Sequence, residues 1–170
     1  MSKINVRGLR GSIVALVTPF GKDGKIDFDA LGKLVDWHIG SGTHGIVACG
    51  TTGETPTLSD GEWASVIQFI VKRAAGRVPV IAGSGANGTE KTIETSLKAQ
   101  ELGADALLVV GPYYNKPSQE GLFRHFKAIA DATSLPIMLY NIPGRCGVDI
   151  MPETVARLGK EWRNIVSIKG

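Results

Sequence analysis

Residues 78–110 read VPVIAGSGANGTEKTIETSLKAQELGADALLVV, and the rest of the chain can be parsed outward from this stretch. An apolar run from Val78 to Ala82, rich in β-branched residues, breaks at a glycine-rich loop. Thr89 before Thr92 marks a helix start, Gly103 marks its end, and a second apolar run follows from Asp105 to Val110. Runs this short between turn residues suit buried strands, and the segment between them has the length of a helix. The stretch therefore predicts a strand, a crossover helix and a second strand.

The same pattern extends in both directions. Apolar runs recur at Ser12 to Val17, Gly45 to Cys49, Pro136 to Tyr140 and Ile165 to Lys169, giving six candidate strands. Helical stripes lie between them: Leu31, Leu34, Val35, His38 and Ile39 form one, and Trp63, Val66, Ile67, Ile70 and Val71 another. Ser59-Asp60 before Glu62 marks a helix start, and Gly40, Gly76 and Gly159 mark ends. Successive strand starts fall roughly 30 residues apart, the length of a βα unit. Repeated βα units imply a parallel α/β sheet, either an open doubly wound sheet or a (β/α)8 barrel. Periodicity leaves both open. As a barrel, residues 1–170 form an incomplete domain of strands 1 to 6, because closure takes eight strands and about 250 residues.

Composition narrows the function. Of 170 residues, 43% are hydrophobic and 21% charged, which fits an ordinary globular domain. The net charge of +3 comes from 19 basic and 16 acidic residues interspersed along the chain, so no basic face for nucleic acid is expected. Cys49 and Cys146 lack the paired spacing of a zinc site, and a reducing, cytoplasmic setting follows as the default. The N-terminal apolar run ends at Thr18-Pro19, too short for a signal or membrane span.

In either architecture ligands sit at the carboxyl ends of the strands. The second strand runs into Gly50-Thr51-Thr52-Gly53-Glu54, whose hydroxyls and free N–H groups suit a small carboxylate. A tight turn with a threonine N-cap would use the same residues. The fifth strand ends in Tyr140-Asn141-Ile142-Pro143-Gly144-Arg145, where the tyrosine alone reads equally as packing. In the sixth, alternation puts Ile165, Ser167 and Lys169 on one face and Val166 and Ile168 on the other. A lysine carried inward and desolvated is a Schiff-base nucleophile; a lysine closing the strand with its head in water is the plainer reading. Adjacent fifth and sixth strands would bring Tyr140 level with Lys169, where a phenol can relay protons.

Gly83-Ser84-Gly85-Ala86-Asn87-Gly88 matches the dinucleotide pattern G-x-G-x-x-G after a strand. Its acidic partner fails: Asp105 begins the following strand instead of ending it. His38, His44 and His125 share no metal-ligand spacing and are read as structural or solvated.

Four motifs in order, Gly50 to Glu54, Pro112-Tyr113-Tyr114-Asn115-Lys116-Pro117, Tyr140 to Arg145 and Ser167-Ile168-Lys169, resemble the dihydrodipicolinate synthase family of pyruvate-dependent lyases. The superfamily includes N-acetylneuraminate lyase, and the likeness runs from about Gly11 to Gly170. It implies a TIM barrel lyase that condenses pyruvate with L-aspartate 4-semialdehyde, on the way to lysine and diaminopimelate, without metal or organic cofactor. By that likeness Lys169 forms a covalent imine with pyruvate and Tyr140 transfers protons. Thr51 and Tyr114 complete a relay, Gly50 and Thr52 help hold the pyruvate carboxylate, and Arg145 receives the semialdehyde carboxylate. Tyr114 would reach across a dimer interface, implying a homo-oligomer, a dimer of dimers. Thr51 and Arg145 favour the synthase over a 2-keto-3-deoxy sugar-acid or N-acetylneuraminate type aldolase.

Two departures shape further expectations. Relatives are expected to continue for two more βα units and a C-terminal helical region, and to carry an acidic residue where Gly170 stands. A truncated product is therefore expected, with a terminal carboxylate beside Lys169 that opposes its deprotonation. Lysine-regulated relatives would place an acidic residue and histidines where Lys91 and Trp63 stand here, although Asn87 is kept. Weak lysine inhibition of a complete enzyme is expected.

Overall fold

In the computed structural model, residues 8–170 are described. They form two compact units: the chain through Gly83 together with Glu101–Ala106, and Ser84–Gln100 together with Leu107–Gly170.

The first unit contains β1 (Ile13–Ala15), α1 (Phe28–Gly40), β2 (Gly45–Ala48), α2 (Asp60–Ala74) and β3 (Val80–Gly83). Its strands pair in parallel and in sequence order, with Val14 opposite Ile46 and Val47 opposite Ile81. Every residue of β2 and β3 is buried, which is why these runs are continuously apolar instead of alternating. Asp27 caps α1 by accepting from the Ala30 N–H at 2.8 Å. At α2 the predicted start is a reciprocal capping box: Ser59 N–H donates to Glu62 at 2.8 Å, and Glu62 N–H donates to the Ser59 hydroxyl. Such a cap contributes about 1 kcal/mol. The predicted stripe of α2 is its core face, with Trp63, Val66, Ile67 and Ile70 all buried. The Trp63 indole N–H donates to the Gly83 carbonyl at 2.9 Å, tying α2 to the end of β3.

The second unit contains, apart from Glu101 and Ala106, α3 (Thr89–Glu101) and β4 (Ala106–Val110), and then α4 (Gln119–Ala132), β5 (Ile137–Tyr140), the single turn α5 (Pro143–Cys146), α6 (Pro152–Glu161) and β6 (Ile165–Lys169). β4, β5 and β6 also pair in parallel in sequence order. Leu122, Phe126 and Ile129 of α4 are fully buried. Helix α6 docks on α4 through the Arg157 guanidinium, which lies 3.3 Å from the Phe123 ring centroid and 2.7 Å from the Glu120 carboxylate. Asn164 then donates to the carbonyls of Ala130 and Thr133, setting the entry into β6.

Two local expectations need correction. Gly159 does not end α6; it lies exposed inside the helix, which runs on to a cap at Trp162. Thr89 opens α3 as predicted, and its hydroxyl meets His125 Nδ1 at 2.9 Å. The face alternation across β6 is broken by a bulge: Ile137 pairs with Ile165 and Met138 with Ser167, so Val166 is the extra residue.

A Cβ on Gly83 would sit 2.0 Å from the Cys49 carbonyl oxygen, whereas one on Gly159 would meet nothing within 4 Å. Gly83→Ala should therefore destabilise by about 3 kcal/mol, and Gly159→Ala should stabilise by ~0.5–1 kcal/mol. Urea unfolding midpoints measure both, and equal shifts would contradict the packing described.

His125 is buried on α4, and its Nε2 has no partner among the described residues. Burial pushes its imidazole down from 6.5 to about 4. Between those values the unfolded chain takes up a proton that the folded chain refuses. Stability should thus fall by about 3 kcal/mol as pH drops through this window, with no contribution above it. Denaturant melts of the parent and His125→Asn across the window test this, and parallel pH slopes would refute it.

Candidate active site

At the carboxyl ends of β5 and β6 the register places Tyr140 directly opposite Lys169. Opposite residues on neighbouring strands share a face, and the Lys169 ammonium nitrogen lies 4.3 Å from the Tyr140 ring centroid. Tyr140 is buried and Lys169 is half-buried, so the lysine is less desolvated than its strand position predicts. The Asn141 N–H donates to the Lys169 carbonyl at 2.8 Å and closes the ladder just beyond the pair.

The segment after β5 is stapled at its base. Asn141 Nδ2 donates to the Asp149 carboxylate at 2.6 Å and its Oδ1 accepts from the Ile150 N–H at 3.0 Å. Gln119 at the start of α4 donates to the Asp149 carbonyl and accepts from Thr154 and from the Met151 N–H. The short turn α5 projects from this base, and Arg145 on it is exposed, with no ion-pair partner among the described residues.

The turn after β4 is strained. Tyr114 has φ 70° and Lys116 φ 47°, both in the left-handed region. For side chains of this size such backbone costs on the order of 1–3 kcal/mol at each position. Asn115 between them is fixed by its N–H donating to the Tyr113 carbonyl and its Nδ2 donating to the Asn87 carbonyl at 2.9 Å. Tyr114 is 89% exposed.

In the first unit the segment after β2 also departs from the simple loop expected. Cys49 takes a left-handed φ of 52°, and the chain then makes two 3-10 turns, Thr51–Gly53 and Thr55–Thr57. The N–H groups of Gly53 and Glu54 are consumed in the first turn, donating to the carbonyls of Gly50 and Thr51, so they are not free for a ligand. Threonine does not cap the following helix, a task Ser59 performs. The Thr55 hydroxyl donates to the carbonyls of Cys49 and Gly50, and the Thr18 hydroxyl donates to the Gly53 carbonyl at 2.8 Å. Gly50 is buried, Thr51 half-buried and Thr52 exposed. Burial pushes the Cys49 thiol up to about 12, which keeps it a thiol.

The glycine-rich segment is occupied by its own fold. A Cβ on Gly85 would lie 2.5 Å from the Val110 nitrogen, the Ser84 hydroxyl meets that of Ser96 at 2.9 Å, and the Ala86 N–H donates to the Thr92 hydroxyl. Asp105 accepts from the Val80 N–H at 2.9 Å and so serves β3. Trp63, placed by sequence at a lysine-regulatory position, is a buried core residue, and Lys91 lies 3.9 Å from Glu94 on its own helix. Among the described residues, no helix is long and apolar enough to cross a membrane.

Thr55, Gln119 and Asp149 escaped the sequence reading, and Asn115 entered it only as a member of a motif, since each works through a hydrogen bond across turns that no periodicity records. Their only signal is that short polar residues cluster just beyond strand ends.

A profile of the Dihydrodipicolinate synthetase family matches residues 8–170. The 4-hydroxy-tetrahydrodipicolinate synthases of Pelobacter propionicus and Thermodesulfovibrio yellowstonii are 58% and 59% identical over 160 residues, covering 94% of this chain and 54% of each relative. The chloride-inhibited dihydrodipicolinate synthase of Acinetobacter baumannii, in its crystal structure with pyruvate, matches with a TM-score of 0.93 and 57% identity, over 95% of this chain and 55% of that one. The chain thus spans about half the length of the curated relatives it matches. The structural match resolves the alternative left by periodicity in favour of the (β/α)8-barrel class. With strand-end motifs, parallel βα repeats and family profile in agreement, the chain belongs to the dihydrodipicolinate synthetase family.

Proposed function

We propose that the chain carries the imine-forming machinery of a 4-hydroxy-tetrahydrodipicolinate synthase, a lyase that condenses pyruvate with L-aspartate 4-semialdehyde. The observation that carries this reading is the Tyr140–Lys169 pair, with the amine 4.3 Å from the centre of the phenol ring. Family membership and the names of the relatives support the choice of substrates.

In this reading the neutral Lys169 amine attacks C2 of pyruvate, and the resulting carbinolamine loses water to give a protonated imine. The nitrogen is then cationic, and the face of the Tyr140 ring favours a cation at that distance. Loss of a C3 proton gives the enamine, whose C3 forms the new bond to the aldehyde carbon. The aldehyde oxygen takes up a proton, and attack by the amino group of the semialdehyde closes the ring and releases Lys169. Tyr140 is the proton carrier for these steps, with Thr51 and Tyr114 completing the relay. Gly50 and Thr52 hold the pyruvate carboxylate, and Arg145, a guanidinium on an exposed turn, takes the carboxylate of the semialdehyde. The protonated imine on Lys169 is itself the electron sink that stabilises the enamine, so this reading assigns no metal or organic cofactor to the reaction.

The same reading makes the protein a cytoplasmic homo-oligomer, a dimer of dimers in which Tyr114 enters a neighbour's site. Its 89% exposure supports that role. One structural relative is described as the first monomeric dihydrodipicolinate synthase variant, so assembly varies among relatives.

Borohydride reduction of the chain with pyruvate, read by intact and peptide mass spectrometry, is the direct test. A single adduct on Lys169, lost in Lys169→Ala, is expected. Tyr140→Phe should slow trapping by roughly 10²-fold. A folded chain that gives no adduct, or one labelled indiscriminately over surface lysines, would sink the proposal.

A further inference from the structure

The turn between β4 and α4 holds two bulky residues in left-handed backbone, with Asn115 between them locked by two hydrogen bonds. Strain of this kind persists only where the surroundings over-determine it, and it gathers at ligand sites. Tyr114 has a part in the relay proposed above; Lys116 has none. Its stem nevertheless has a defined seat. A Cβ on Gly147 would lie 3.3 Å from Lys116 Cε and 3.8 Å from its Cγ, so the side chain runs across the glycine. Gly147 is the cap of α5, the turn that carries Arg145, and itself has φ 72°. A Cβ there would press on the lysine stem, and the left-handed backbone of Gly147 itself favours glycine.

The strained turn thus delivers one cation against the turn that bears another. Elsewhere in this unit Lys91, Arg124, Lys127 and Arg157 each have a carboxylate within 4.0 Å. Among the described residues neither Lys116 nor Arg145 has an ion-pair partner. The carboxylates nearest to them in sequence are engaged elsewhere: Glu120, four residues after Lys116, with Arg124 and Arg157, and Asp149, four residues after Arg145, with Asn141 at 2.6 Å. An anion bound between two turns that each carry an uncompensated cation is attracted by both charges.

The geometry points to Lys116 as a second carboxylate-binding residue, which with Arg145 forms a two-cation site for the carboxylate of a small acyclic acid. This rests on the aldolase reading for its substrate, the semialdehyde. The guanidinium offers a planar fork and the ammonium a point charge, so together they engage both oxygens of one carboxylate.

Succinate serves as the probe, because binding can be read without turnover. Its Kd is measured by calorimetry, and acetylation of Lys116 is followed by peptide mass spectrometry, with exposed Lys160 as control. At a succinate concentration four times Kd, Lys116 should be acetylated about fivefold more slowly, and Lys160 at an unchanged rate. Lys116→Met should raise Kd at least about tenfold, while Lys116→Arg stays near the parent value. Protection should vanish in Arg145→Met. Unchanged Kd in Lys116→Met, or equal labelling of Lys116 with and without succinate, overturns the site. The Lys169 pyruvyl adduct is scored in parallel: its absence with protection intact would strike the aldolase reading while supporting the anion site.

Discussion

The candidate site depends on the register between β5 and β6. A regular ladder continuing from Ile137 opposite Ile165 would set Val166 against Met138 and Ile168 against Tyr140. Lys169 would then face Asn141, on the other side of the sheet from the phenol. The extra residue at Val166 shifts the pairing by one, and Tyr140 meets Lys169. Because strand side chains alternate with a period of two, a slip of one residue moves every following side chain to the opposite face. A single bulge therefore determines whether the amine and the phenol meet, in a strand whose entry is anchored by the Asn164 side chain on two carbonyls at the end of α4.

Beyond that pair, the second unit separates rigidity from exposure. Buried β4 and β5 and the stripe of α4 form the frame, and the groups with chemistry project from turns at its carboxyl edge. Exposed turns are ordinarily variable in conformation. Here each is tied at its base: the β4–α4 turn through Asn115 to Asn87, and the segment after β5 through Asn141 and Gln119 to Asp149. The left-handed residues Tyr114 and Lys116 are tolerable because those bonds leave the backbone no relaxed alternative.

How much of this was legible in the sequence follows from the range of each interaction. Strand positions were readable because fully buried strands are continuously apolar, as Val80–Gly83 and Ala106–Leu108 show. Helix α2 was readable at both ends because capping boxes and left-handed stops are local: Ser59 and Glu62 sit three apart, and Ala75 and Gly76 both have positive φ. The level pairing of Tyr140 and Lys169 was legible from strand order, but the bulge that secures it was not, since nothing in Ile165-Val166-Ser167 distinguishes a bulged strand from a regular one. Gly159 misled because exposed glycine is tolerated within a helix at modest cost. The turn at Thr51 misled because its hydroxyls and glycines suit a ligand cradle and a 3-10 turn equally.

The glycine-rich segment shows why a motif is weaker than its context. Nucleotide folds use G-x-G-x-x-G to let backbone approach a pyrophosphate, and here glycine at the same spacing lets backbone approach backbone. Gly83 faces the Cys49 carbonyl, and Gly85 faces the Val110 nitrogen, at distances a Cβ would forbid. Both uses exploit the same missing atom, so the string alone cannot tell them apart. The distinguishing residue lies 22 positions past Gly83, where a ribose-binding acid should close the next strand. Asp105 instead opens it, and its carboxylate accepts the Val80 N–H. A carboxylate at the start of the strand stands at the opposite end from where a ribose would lie, and the close contacts of Gly83 and Gly85 put both in the service of strand packing.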